Sequence, residues 1–177
     1  MVFGIETSII MAGGKGKRFG SSFKPFTELC GKPMIFNIID KTRKLFKFNI
    51  IAISENVENF LYIIKNKYKD ILLVYTTGID YSIDLKILLD VIKNRPIMVF
   101  PSDIPFIKDN MIEEIILSAK EMDIDLITVL NKQGEPIGIS IIKGNNLNRW
   151  TNLKLNENLI NINTINDLNN AKVICND

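Results

Sequence analysis

Apolar, β-branched runs alternate along this chain with longer stretches in which apolar residues recur every three or four positions. Residues 7–12, 49–53, 71–75, 96–100, 125–130 and 137–142 read as strands, the run 96–100 being apolar enough to be buried on both faces. The intervening spacing predicts a helix over 33–46 with Ile35, Ile38, Ile39 and Leu45 inward. A second is expected over 56–68, where Phe60, Leu61, Ile63 and Ile64 recur. A third over 80–93 presents Ile83, Ile87, Leu88 and Val91 on one face, and a fourth covers 109–122. The pattern weakens from 143 to 158, and 159–163 then alternates like an edge strand. Thr164 with Asp167 three positions on forms a capping box for a last short helix.

Strand-then-helix alternation points to an α/β fold: a Rossmann-like three-layer sandwich with a mainly parallel mixed sheet between helices. Ligands in such sheets lie beyond the carboxyl ends of the strands, where the connections reverse direction. The turns after Ala12, Ile53, Tyr75 and Phe100 are therefore where function is expected.

Composition narrows the chemistry. With 177 residues, the chain is expected to form a single domain over 1–177, large enough to fold without a cross-link. A formal charge of +2 gives no broad field for a nucleic acid, and no apolar run approaches the ~20 residues that span a bilayer. The first residues lack the pattern of a signal peptide, so a soluble, cytoplasmic protein is expected. Cys30 and Cys175 are too few for a zinc cluster or a disulfide framework, and reduced thiols are the expectation. Histidine is absent, which excludes Ser-His-Asp and Cys-His catalysis and every histidine-containing metal site. Reaction chemistry is left to carboxylates, lysine, arginine, backbone amides or a hard metal. Nothing in the pattern selects between a monomer and a homodimer.

The segment Gly13-Gly14-Lys15-Gly16-Lys17-Arg18-Phe19-Gly20 follows the first strand directly. Its glycines let backbone amides approach an anion, and three cations lie inside it. Phe19 stands where a dinucleotide fingerprint needs a glycine or alanine, and no glycine precedes a Lys-Ser/Thr pair as a Walker A loop requires. The run Ile10-Met11-Ala12-Gly13-Gly14-Lys15-Gly16-Lys17-Arg18-Phe19-Gly20, with Lys24-Pro25 and Gly31-Lys32-Pro33 downstream, resembles the signature of the MobA-like nucleotidyltransferases, whose fold is that of the nucleotide-diphospho-sugar transferases. The resemblance implies a loop that closes over an NTP, with Ala12, Gly13, Gly14 and Gly16 against base and phosphates, and Arg18 and Lys24 offsetting phosphate charge. That division of labour suits the residue types, arginine as a planar fork and lysine as a point charge. Lys15, Lys17 and Lys32 read as surface or steering charges.

Asp103 follows the buried fourth strand and a Pro-Ser turn. Magnesium takes one or two carboxylates and completes its shell with water and phosphates, so an acid held there suits it; a turn or capping role is the plain alternative. The segment Val99-Phe100-Pro101-Ser102-Asp103-Ile104-Pro105-Phe106 is similar to the family strand that ends in a metal-holding aspartate. By that resemblance Arg18, Lys24 and Asp103 are the catalytic residues and Mg2+ the cofactor. Ser54, Asn56 and Gly78 fall on the same rim and could reach a base or ribose, Asn56 serving equally as a helix cap.

Residues 75–85 lack the Gly-Pro-Leu-x-Gly of molybdenum-cofactor enzymes and resemble the T-x-G-x-x-Y-x-x-D-L stretch of archaeal cobinamide-phosphate guanylyltransferases. Residues 159–168 match a terminal Asn-x-Asn-Thr-x-x-Asp-Leu element shared by both branches, in which Asn161 and Asn163 orient substrate or satisfy the backbone. The resemblance implies transfer of GMP from GTP to adenosylcobinamide phosphate. The alternatives are a molybdopterin acceptor and a non-catalytic nucleotide sensor. Guanine rests on resemblance alone, since Tyr75, Thr76 and Thr77 stand where an acid is expected; Asp80 or Asp84 could replace it or serve the helix start. Trp150 offers an aromatic face for a corrin or pterin, or simply packs.

Overall fold

The computed structural model describes residues 4–175. The chain forms β1 (Thr7–Met11), the hairpin β2 (Glu28–Leu29) and β3 (Lys32–Pro33), α1 (Met34–Leu45), β4 (Phe48–Ile53), α2 (Leu61–Lys67), β5 (Leu72–Tyr75) and α3 (Tyr81–Val91). It continues through β6 (Ile97–Pro101), α4 (Asp109–Lys120), β7 (Leu126–Leu130), β8 (Pro136–Ile142), β9 (Trp150–Lys154) and α5 (Ile165–Ile174). Seven strands pair in the order β5-β4-β1-β6-β8-β7-β9. Only β8 runs against its neighbours β6 and β7; the remaining pairs are parallel, as strand-helix alternation predicts.

The order reverses between β1 and β6. The chain first builds outward from β1 to β4 and β5, then returns to place β6 on the other side of β1. This switch point is where the connecting loops part and leave a crevice at the carboxyl ends of the strands. Alternate residues of the central strands feed two cores. Ile10, Ile51, Met98, Phe100 and Ile127 pack against α1, α2 and α4, whose Ile38, Ile64, Ile112 and Ile115 are fully or almost fully buried. On the opposite face Ile9, Ala52, Ile97 and Val99 meet Leu88 and Leu89 of α3. A third, smaller core joins Phe19, Leu29 and Met34 to Ile162, Leu168 and Ala171.

Four expectations change. In α3 the inward residues are Asp84, Leu88 and Leu89, while Ile83, Ile87 and Val91 are exposed. The helix is apolar on nearly every side, so periodicity could not choose the face, and the docking of Leu88 and Leu89 onto β1 and β6 decides it. The helix expected over 56–68 is a 3-10 turn, Glu55–Phe60, followed by the short α2. Residues 159–163 form no strand: they cross the carboxyl ends of the sheet, with the Ile162 N–H donating to the Asp103 carbonyl at 2.9 Å. The edge is instead β9, in the stretch without pattern. Its Trp150 is 57% exposed at the amino end, the end of the sheet remote from the crevice.

The fourth correction concerns the thiols. Cys30, in the β2–β3 turn, and Cys175, just after α5, form a disulfide across 145 positions of sequence. Their pairing follows from α5 folding back along the third core, a tertiary event that cysteine spacing does not encode.

Candidate active site

The first turn after β1 is built tightly. The Ala12 N–H donates to the Ala52 carbonyl at 2.9 Å, prolonging the β1–β4 ladder, and the chain then bends at buried Gly13, where a Cβ would lie 3.0 Å from the Ile53 carbonyl carbon. Gly16 has φ +58°, and the Phe19 and Gly20 amides both donate to its carbonyl, at 3.0 and 2.9 Å. Phe19 drops into the third core and anchors the loop, leaving Lys15, Lys17 and Arg18 exposed along a cavity of about 550 Å3. The residue that breaks the dinucleotide fingerprint is thus the loop's anchor. Gly78, Tyr81, Pro101 and Asp103 bound the cavity from the other side.

Asp103 is delivered by β6 through Pro101 and buried Ser102. Lys24 reaches it from the end of the glycine loop, with Nζ 2.5 Å from Oδ2; the two side chains are only 13% and 14% exposed. The Asn161 amide lies 3.4 Å from the other carboxylate oxygen, Oδ1. Asn163 Oδ1 accepts from Arg18 Nη2 at 3.0 Å and from Lys24 Nζ at 3.5 Å. Arg18, Lys24 and Asp103 are therefore gathered into one cluster around Asn163, although 139 positions separate Lys24 from that asparagine. Lys24 and Arg18 can offset charge on a polyanion, while the carboxylate can hold a hard cation. No group of three or more His, Cys, Asp or Glu suited to a metal occurs among the described residues. Asp103 alone still fits Mg2+, whose remaining positions are filled by water and substrate phosphates.

The other rim residues divide. Gly78 lines the cavity, whereas Ser54 and Asn56 stand behind the glycine loop and donate to the Gly13 carbonyl at 2.6 and 3.3 Å. Ser54 Oγ also accepts from the Asn56 N–H, so Ser54 is the cap of the following 3-10 turn. Asp80 caps α3 through the Ser82 and Ile83 amides. Asp84 turns inward onto Thr77 and Gly78. Lys32 pairs with Asp40 at 3.1 Å. The anchoring of Phe19 carries no sequence signal of its own; Tyr81 and Asp84 stand in the T-x-G-x-x-Y-x-x-D-L stretch, but that Tyr81 lines the cavity and Asp84 turns inward depends on what the fold packs beside them.

The strap bearing Asn161 and Asn163 is held by the capping box of α5. Asp167 Oδ2 accepts from the Asn163 and Thr164 amides at 2.9 and 2.7 Å, and Thr164 Oγ1 accepts from the Asp167 amide at 3.1 Å. Burial alone would raise the Asp167 pKa, but the hydrogen bonds from Thr164 and Asn163 and the charge of Lys24 outweigh it and hold the carboxyl below its ordinary 3.8. A depressed carboxylate pKa adds stability that is complete above the ordinary value and is lost as pH falls through the folded-state value. Asp167→Ala should therefore lower Tm at pH 7 by removing a cap worth about 1 kcal/mol. The gap from wild type should narrow below about pH 4, which thermal melts across pH 3–7 would check.

A doubly wound sheet carrying a cationic glycine loop and one carboxylate at its switch point defines a cleft-bearing α/β protein built for a polyanionic ligand. Residues 8–160 match the model of the MobA-like NTP transferase domain, and the chain belongs to that family of nucleotidyltransferases. It is 29% identical over 189 aligned residues to the adenosylcobinamide-phosphate guanylyltransferase of Methanocaldococcus jannaschii, covering 94% of this chain and 96% of that protein. Among solved structures it is similar to molybdopterin-guanine dinucleotide biosynthesis protein A from Archaeoglobus fulgidus (TM-score 0.74, 18% identity, 96% of this chain and 98% of that one). HddC from Yersinia pseudotuberculosis is similar too (TM-score 0.75, 14% identity, 96% and 99%). These neighbours bear out the nucleotide-diphospho-sugar-transferase type of fold.

Proposed function

We propose that this protein transfers GMP from GTP to adenosylcobinamide phosphate, releasing pyrophosphate. The observation that carries the reading is the pairing of Lys24 with Asp103 at the mouth of the glycine loop, in a chain similar along 94% of its length to a guanylyltransferase acting on that acceptor. The loop amides and Arg18 take the triphosphate. Lys24, freed from Asp103 as the phosphates enter, offsets charge that moves toward the leaving pyrophosphate. A phosphate monoester is already anionic near neutral pH, so its oxygen can attack the α-phosphorus without a general base, consistent with a chain that has no histidine. Asp103 would hold Mg2+, which when bound supplies Lewis-acid stabilisation of the phosphoryl oxygens.

Guanine follows from similarity to the archaeal relative and gives a direct test. A ligand that binds only the native state raises stability by mass action. GTP should raise Tm more than ATP, CTP or UTP at equal concentration in a thermal-shift series; equal shifts for ATP and GTP would count against guanine. Among the described residues no helix is long and apolar enough to cross a membrane. The reading places the enzyme in the cytoplasm with its nucleotide, where the Cys30–Cys175 bridge would be an exception to the usual reduced state of thiols.

A further inference from the structure

Asp84 is the one charged residue that is buried among the described residues, at 4% exposure, and none of their ion pairs includes it. Its oxygens are spent on a single turn. Oδ1 accepts from the Thr77 amide at 2.8 Å and from Thr77 Oγ1 at 2.6 Å, and Oδ2 accepts from the Gly78 amide at 3.0 Å. Burying a carboxylate is costly even when it is hydrogen-bonded, and its place in the first turn of α3 offsets only part of that cost.

The turn it holds is a wall of the cavity, and Ser54 and Asn56 link that wall to the glycine loop. Gly78 has φ +65°, and a Cβ there would lie 2.6 Å from Ser54 Oγ and 2.7 Å from Asn56 Nδ2. Those two side chains both donate to the Gly13 carbonyl. A continuous set of contacts thus runs from Asp84 through Thr77 and Gly78 to Ser54 and Asn56, and on to Gly13. The gap between the 78–84 wall and the loop is set by where the turn sits.

We propose that Asp84 is a positioning residue that fixes the Thr77–Gly78 turn against the glycine loop and so sets nucleotide affinity. The inference rests on the nucleotidyltransferase reading of the same cleft. Asparagine in its place would turn an amide donor toward one of the two donating backbone amides, loosening the turn without changing its shape.

The test measures the GTP dissociation constant, the KM and kcat of pyrophosphate release, and amide exchange at Thr77 and Gly78, for wild type, Asp84→Asn and Thr77→Val. Asp84→Asn should weaken GTP binding and raise its KM by about tenfold, leave kcat within about twofold, and speed exchange at both amides. Thr77→Val, which keeps the carboxylate and loses the hydroxyl that donates to Asp84 and accepts from the Ile79 amide, should shift affinity the same way by a smaller factor. It decides the matter if Asp84→Asn fails to fold. Unchanged affinity in the folded variants while wild type binds GTP overturns the role of Asp84 alone. Weakened binding with both amides still protected also overturns it, by making Asp84 a direct ligand contact. A wild type that binds no nucleotide overturns the nucleotide reading and this inference together.

Discussion

Asp103→Asn should slow nucleotidyl transfer by on the order of a hundredfold or more, the usual cost of losing a group that stabilises transition-state charge. The substitution keeps the shape of the side chain and removes its charge, together with the 2.5 Å ion pair to Lys24. GTP affinity should change much less, because the proposed mechanism assigns ground-state binding chiefly to the glycine loop and Arg18, and leaves Lys24, released from its carboxylate, available to phosphate. Paired measurements of the GTP dissociation constant and of pyrophosphate release check both halves. Unchanged turnover would remove Asp103 from the chemistry. A loss of affinity as large as the loss of turnover would make it a binding residue.

The second large effect is expected at Gly16. A Cβ there would sit 1.9 Å from the Ser21 carbonyl oxygen, on a residue already at φ +58°. Ser21 cannot yield without consequence, since its carbonyl accepts from the Lys24 amide at 3.3 Å, so relief of the clash displaces Lys24. Left-handed strain alone costs about 1–2 kcal/mol, and the clash adds to it. Gly16→Ala should therefore weaken GTP binding by at least about tenfold while the sheet stays folded, as far-ultraviolet circular dichroism and calorimetry would show. Gly20 separates the two causes: it has φ +81° but open space around its would-be Cβ, so Gly20→Ala carries the strain without the clash and should do less. Equal effects at both positions would assign the loss to backbone strain alone.

What could be read in advance is what is local. The glycine loop and Asp103 each follow a strand whose apolar run is unmistakable, and a parallel sheet places the ends of such strands together without further instruction, whereas Lys24 is implied by the Lys24-Pro25 pair of the resembled signature. The capping box at Thr164 and Asp167 is equally local and forms as expected. Features that depend on distant partners were not legible. Asn163 contacts Arg18 and Lys24 only because the strap after β9 crosses the sheet. Strand β9 exists because β7 offers it an unpaired edge, its own residues 150–154 being mostly polar. Ser54 and Asn56 occupy the expected rim, but the closeness of Gly13 turns them toward its carbonyl rather than into the cavity. In α3, isoleucine and leucine on opposite sides left the choice of face to packing.

Pyrophosphate release from the purified protein given GTP, Mg2+ and adenosylcobinamide phosphate, with molybdopterin run in parallel as acceptor, separates transfer from mere binding. One pyrophosphate per acceptor consumed is expected with the phosphorylated cobinamide, a much slower reaction with ATP, and none with molybdopterin. Release with molybdopterin alone would contradict the acceptor. Binding of GTP without pyrophosphate from either acceptor would contradict catalysis itself and leave a nucleotide sensor.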